Sequence, residues 1–340
     1  MAKKKISVIQ VYGSGILTRS LEAILIEIPG VRDGGDIENI HRMRVATRRL
    51  RAGLATFEKW MPGKRVIDWV RQVRSITRSL GAARDTDVQL DLLRQVYQEI
   101  PQGLEKAGVH RLLVRIQQRR KGLQADVLKS LAKYEKSGVS QEMQQILGPI
   151  AALRALINMD SPVLYGLAQQ SVGDALDKFL SFEPYIHDPD EVEKLHAMRI
   201  AAKHLRYTLE IFAELYEEGM KPHLQTMRRV QDLLGNIHDD DVWIAWLPEF
   251  IKEERQRTYE YYGIFGPFRK LSPGLDYFLN RCQQDRNKTY GKFLREWDAW
   301  NGENAWQSLR DAVRIPERLI PSASIDPELD IPAETEAEAG

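Results

Sequence analysis

Two segments of this chain are near copies of each other. HRMRVATRRLR at residues 41–51 aligns with HAMRIAAKHLR at 196–206, a shift of 155 positions. SLGAARDTDV at 79–88 then aligns with LLGNIHDDDV at 233–242, a shift of 154. A weaker third match sets RIQQRRKGL at 115–123 against RCQQDRNKT at 281–289, a shift of 166. Matches in the same order predict a duplicated unit. The larger third offset predicts an insertion in the second copy around EERQRTYEYYGIFGPFRKLSPG. The period is too long and the copies too few for a solenoid.

The unit is helical. Apolar residues recur at helical spacing almost throughout residues 13–313, and no run alternates with the period of a strand. Pro29-Gly30, Gly34-Gly35, Pro62-Gly63, Gly81, Pro101, Pro184, Pro189, Pro222, Gly235 and the stretch 263–273 are the expected breaks. The expectation is an all-α protein. Two antiparallel bundles face each other across a pseudo-twofold axis: residues 1–155 form the first repeat and 156–315 the second. From Pro316 onward the chain is rich in Pro, Ala, Asp and Glu and has little to bury, so 316–340 is expected to be a disordered acidic tail.

The repeated segment carries an unusual charge pattern. Residues 40–57 hold five arginines, one histidine and no acid. At about 100° per residue, Arg44, Arg48 and Arg51 lie within roughly 80° of His41. Met43, Leu50, Leu54 and Phe57 occupy the opposite side. The second copy repeats both faces, with His196, Arg199, Lys203 and Arg206 on the stripe and Met198, Leu205, Leu209 and Phe212 on the apolar side. Arg42 and Arg49 become Ala197 and His204, so they lie off the shared pattern. A solvated face would mix signs, because like charges at helical spacing repel.

Further basic residues follow. Arg71, Arg74 and Arg78 share a face, as do Arg111, Arg115 and Arg119. Their second-half counterparts are Lys221, Arg228 and Arg229, and Arg281, Arg286, Lys288 and Lys292. That half is weaker: Gln225 and Asp232 stand for Arg71 and Arg78, and Asp285 for Arg119. Net charge is only +1, so any polyanion site must come from local segregation. A stripe from His41 to Arg51 is roughly 15 Å long, and arginine's planar fork suits phosphate oxygens. Two opposed stripes point to an extended, phosphate-rich ligand.

Other chemistries are less well supported. HDDD at 238–241 raises a metal-dependent phosphohydrolase using His238 and Asp239, but the first copy puts Arg84 in the histidine's place. The simpler expectation is that Gly81 and Gly235 close helices, and that Asp85, Asp87, Asp239 and Asp241 cap the next helices or hold arginines. His41 and His196 are either half-buried residues at helix starts or donors to the same anion. His110, His187, His204 and His223 show no zinc spacing, and no nucleotide-binding glycine loop is present. A nucleic-acid-binding helical protein is the other alternative, though Tyr207 is the one obvious aromatic neighbour of the stripes on which bases could stack. Trp243 and Trp246 are expected in the core. No membrane span and no secretory signal is legible, and the single Cys282 fits a reducing cytosol.

The pair HRMRVATRRLR…SLGAARDTDV and HAMRIAAKHLRYTLEIF…LLGNIHDDDV resembles the CHAD family, the conserved histidine α-helical domain, over about residues 13–313. That resemblance implies two pseudo-twofold-related bundles around a basic central cavity that binds inorganic polyphosphate, with no catalytic activity and no cofactor. It implies a cytoplasmic protein that can associate with polyphosphate granules. His41, Arg44, Arg48 and Arg51 match its first motif and His196, Arg199, Lys203 and Arg206 its second. Arg71, Arg74 and Arg78 fit the supporting helix. Arg115, Arg119, Arg228, Arg229 and Arg281 complete the expected polyphosphate-binding set. Many members carry a fused triphosphate-tunnel hydrolase, which is expected to be absent here because no ExExK signature precedes Gly13.

Overall fold

The computed structural model describes residues 6–100, 103 and 105–320. Among them there is no strand, and the fold is all-α. The first run comprises α1 (Val8–Asp33), α2 (Ile37–Thr56), α3 (Gly63–Glu99), α4 (Glu105–Lys136) and α5 (Val139–Ala152). The second comprises α6 (Pro162–Leu180), α7 (Val192–Phe212), α8 (Lys221–Tyr262), the short α9 (Gly266–Arg269), α10 (Ser272–Gly302) and α11 (Ala305–Ala312). No described helix is long and apolar enough to cross a membrane.

Local signals set the helix ends. Ser7 caps α1 in a reciprocal pair with Gln10, and Gly34 ends it at φ 73°, a left-handed conformation that favours glycine. Asp36 then starts α2 by accepting from the Glu38 N–H. Gly263, at φ 68°, ends α8. Three expected breaks do not occur. Pro29 lies inside α1, α3 runs straight through Gly81, and α8 through Gly235. The apolar faces continue across the glycines, through Ile76, Leu80, Ala83 and Leu90 in α3 and Leu233, Leu234 and Ile237 in α8. Burial on both sides outweighs the roughly 1 kcal/mol that a mid-helix glycine costs.

Consecutive helices pack side by side. In the first run α2 packs on α1 and α3, α4 on α3, and α5 on α1. In the second, α7 packs on α6 and α8, α10 on α8, and α11 on α6 and α10. Contacts between the runs include α2 on α7, α4 on α10 and α1 on α6. The extended α8 and the extra α9 occupy the stretch where the sequence predicts an insertion. One apolar core runs through both halves, with Tyr12, Phe57 and Phe212 in mutual ring contact. A second joins Leu93, Leu112, Trp243, Phe278 and the buried Cys282. Of the tail expected from Pro316, the first residues are not disordered. Glu317–Leu319 forms a 3-10 turn in which Arg318 bonds Asp160. Residues 321–340 lie outside the described set.

The α4–α10 crossing rests on two glycines, Gly108 and Gly274, which are 166 positions apart, like the third sequence match. A Cβ on Gly274 would lie 1.9 Å from the Glu105 carbonyl oxygen, and one on Gly108 2.2 Å from that of Leu271. The obstacle is backbone, which cannot turn aside. Gly274→Ala should therefore destabilise the fold by about 1–3 kcal/mol or more, read as a lower denaturation midpoint. Wild-type stability would contradict this close approach.

Candidate functional site

The two stripes meet because α2 packs on α7. Arg44 and Arg199 hold equivalent positions and are equally recessed, with side chains 17% and 16% exposed. Each faces one carboxylate from the neighbouring long helix. Arg44 donates to Asp85 of α3 at 3.0 Å, and Arg199 lies 3.9 Å from Asp239 of α8. In both arginines the Nε is buried and has no hydrogen-bond partner. Gly81 of α3 packs beside Arg44, where a Cβ would lie in ordinary contact 3.7 Å from the Arg44 Nε.

Lys203 and Arg48 sit among these groups, and neither has a carboxylate within ion-pair distance among the described residues. Burial, then Arg199, Arg48 and Arg44, pushes the Lys203 ammonium down to about 7, with Asp239 opposing. Arg44 and Arg199 are depressed too, first by burial and next by Arg48 acting on Arg44. Arg51 extends the cluster toward α3: burial lowers it, then Arg74, Arg48 and Arg78. Arg74 and Arg78 are exposed on α3. The result is one cationic strip of Arg44, Arg48, Arg51, Arg74, Arg78, Arg199 and Lys203, in which Asp85 faces Arg44 and Asp239 faces Arg199.

His41 and His196 begin the two stripes. His196 Nδ1 is 2.9 Å from His238 Nδ1, so one ring donates to the other. Burial, then Arg199, His196 and Lys203, lowers His238 to about 4. His196 is lowered by burial and the same two cations. In the first half Arg84 stands where His238 stands in the second, and it follows burial among the causes that lower His41. The His41 Nδ1 is buried without a partner. Both stripe histidines are therefore neutral at neutral pH, and the positive charge belongs to the arginines and Lys203.

The aspartates of the second motif cap nothing, since they lie mid-helix. They hold arginines instead: Asp85 takes Arg44, Asp87 takes Arg120 at 2.6 Å, and Asp241 takes Arg286 at 2.9 Å. Several arginines expected in the site have other partners or surroundings. Arg115 joins Arg111 and Arg257 around the fully buried Glu254. Arg229 is bidentate on Glu296, and Arg281 is shared by Glu99 and Asp285. Arg206 bonds Glu210 and Gln231 and stacks on Tyr207. Arg71 pairs with Asp68 of its own helix. Arg228 lines a cleft of about 370 Å³ with Arg19, Arg49 and Glu210. Arg119 is exposed on α4. An acid three or four residues away flags some of these diversions in sequence; Glu254 and Glu296, 139 and 67 positions from their arginines, give no such signal. Sequence reasoning also left out Arg84, whose alignment with His238 is its only trace.

The CHAD domain profile matches residues 15–248. Among solved structures the chain is similar to the CHAD domain of the plant Ricinus communis. The two are 22% identical with a TM-score of 0.55, over 93% of this chain and 96% of that one. PptA from Streptomyces chartreusis is 13% identical with a TM-score of 0.56, over 86% of this chain and 99% of its own. These likenesses establish the fold. No curated protein matches the sequence.

Proposed function

Because the chain belongs to the CHAD domain family, we propose that it binds inorganic polyphosphate, without catalysis, along the cationic strip between α2 and α7. Some members of the family bind polyphosphate. The observation that carries the reading is the matched pair Arg44 and Arg199. Each has a desolvated Nε donor with no acceptor, beside Lys203 and Arg48, which have no carboxylate within ion-pair distance among the described residues. A buried donor left unpaired costs roughly 1–3 kcal/mol, and several at one place call for an anion that brings its own oxygens. A polyphosphate chain supplies such oxygens at regular intervals.

The pseudo-twofold arrangement belongs to the same proposal. Its axis would pass between Arg44 and Arg199 and between Gly108 and Gly274, the equivalent residues that the α2–α7 and α4–α10 contacts bring near each other. The strip then runs across the axis, with its extension through Arg51 of α2 to Arg74 and Arg78 of α3 in the first half only. We read the site as non-enzymatic because His238 and Asp239, the residues a metal would need, lie beside Arg199 and Lys203, whose charge repels a divalent cation. No cofactor is needed. Duplex nucleic acid is disfavoured because most of the strip is recessed. The buried Cys282 suits a reducing cytoplasm, where polyphosphate granules would be the place of action.

Polyphosphate titrations across pH test this. Lys203 is at about 7 without ligand, and a bound polyanion must raise it. Binding above about pH 7 therefore takes up a proton, and affinity should fall by up to about tenfold per pH unit as pH rises to about 9. Below about pH 7 Lys203 is already charged and this contribution is flat. Lys203→Arg should bind with no such slope. A wild-type profile flat from about pH 7 to about pH 9, or orthophosphate release above background with added Mg2+ or Mn2+, would contradict the reading.

A further inference from the structure

Lys203 is a primary amine set among guanidiniums. Arg199 lies one turn before it on α7, and Arg44 and Arg48 reach it from α2. The carboxylate that acts on it is Asp239 of α8, which stands closer to Arg199. The Lys203 side chain is half-buried and keeps access to solvent. Two of the three guanidiniums carry an unused buried Nε. This places a nucleophile beside donors for a phosphate group.

We propose that Lys203 is an acylation site for small acyl phosphates, whose phosphate the surrounding guanidiniums hold while the Lys203 amine attacks the acyl carbon. The proposal rests on the reading of this cluster as a phosphate site. The C–N bond of an amide forms and the C–O bond to phosphorus breaks. The amine proton leaves with the departing phosphate as hydrogen phosphate, so no oxidant, metal or further reactant is required. The arginines serve twice. They orient the acyl group, and they stabilise the negative charge that develops on the phosphate as it departs. The depression of Lys203 to about 7 leaves much of it neutral near neutral pH, where an exposed lysine is almost wholly protonated. Acylation removes the charge at the middle of the strip and adds bulk there. The modified protein should lose polyphosphate binding, coupling capacity to the acyl phosphate level of its surroundings.

The test is acylation of the full chain by acetyl phosphate, with the rate at each lysine followed by peptide mass spectrometry. Exposed Lys129 and Lys133 serve as internal references. A parallel arm uses acetic anhydride, which acylates amines but carries no phosphate. The expected result is that acetyl phosphate favours Lys203 over the references by about tenfold more than the anhydride does. Polyphosphate should protect Lys203 and leave Lys129 and Lys133 unchanged. Equal preference with both reagents would reduce the effect to amine basicity and overturn the proposal, as would acylation of Lys203 no faster than of Lys129. Polyphosphate binding is measured on the same preparation beforehand. Binding without selective acylation defeats this inference alone, whereas loss of both defeats the phosphate-site reading.

Discussion

Replacing Arg44 and Arg199 together by alanine should weaken polyphosphate binding by about 10²–10⁴-fold and leave the helices folded. Each replacement removes a charge-assisted contact of roughly 1.5–3 kcal/mol. Neither should cost much packing, because Met43, Leu50, Met198 and Leu205, on the opposite faces, fill the core. Crowded like charges are relieved, so the melting temperature should hold or rise. The control removes the same amount of charge, from α2 alone. Arg42 bonds Glu27 at 2.8 Å and Arg49 bonds Glu210 at 2.9 Å, and both are about half exposed. Their acceptors are already in place, and Arg42→Ala with Arg49→Ala should change affinity by less than about tenfold. Circular dichroism checks folding in both pairs. Equal losses in the two pairs would mean that the ligand responds to total charge and not to the strip.

Glu254→Gln should act the other way, on stability and not on binding. The Glu254 carboxylate is fully buried on α8 and accepts from Arg111, Arg115 and Arg257, joining α4 to α8. Removing its charge leaves three guanidiniums facing one another. Breaking a buried ion pair in this way costs several kcal/mol. Here about 3 kcal/mol is expected, because the guanidiniums themselves reach solvent. Chemical denaturation reads this as a lower midpoint with an unchanged slope. Polyphosphate affinity at a temperature where the variant is folded should match the wild type. Weakened binding by folded Glu254→Gln would return Arg115 to the ligand site.

The stripe on α2 and α7 was legible in sequence because helical periodicity fixes which residues share a face, and because the second copy reports which positions keep their charge. Arg44, Arg48, Arg199 and Lys203 follow from that alone. The aspartates that hold arginines were half legible. Asp85 and Asp239 align between copies, but Gly81 and Gly235 suggested breaks, and so caps, that packing overrides. The diverted arginines were not legible, since Arg115 reads as a stripe residue until the fold brings Glu254 to it across 139 positions. The same holds in part for the depression of Lys203. Arg199, one turn earlier on α7, is visible in the spacing, but the burial and the contributions of Arg48 and Arg44 from a helix about 150 residues away are not.

The most direct test of the account is competition at fixed salt among long-chain polyphosphate, duplex DNA and orthophosphate, each at the same phosphate concentration. A recessed strip that takes one narrow chain predicts that polyphosphate binds at least about 100-fold tighter than the other two. Its affinity should fall linearly in log–log form as salt rises, as for counterion release from any polyanion. Equal affinity for polyphosphate and duplex DNA, or an affinity indifferent to salt, would contradict it.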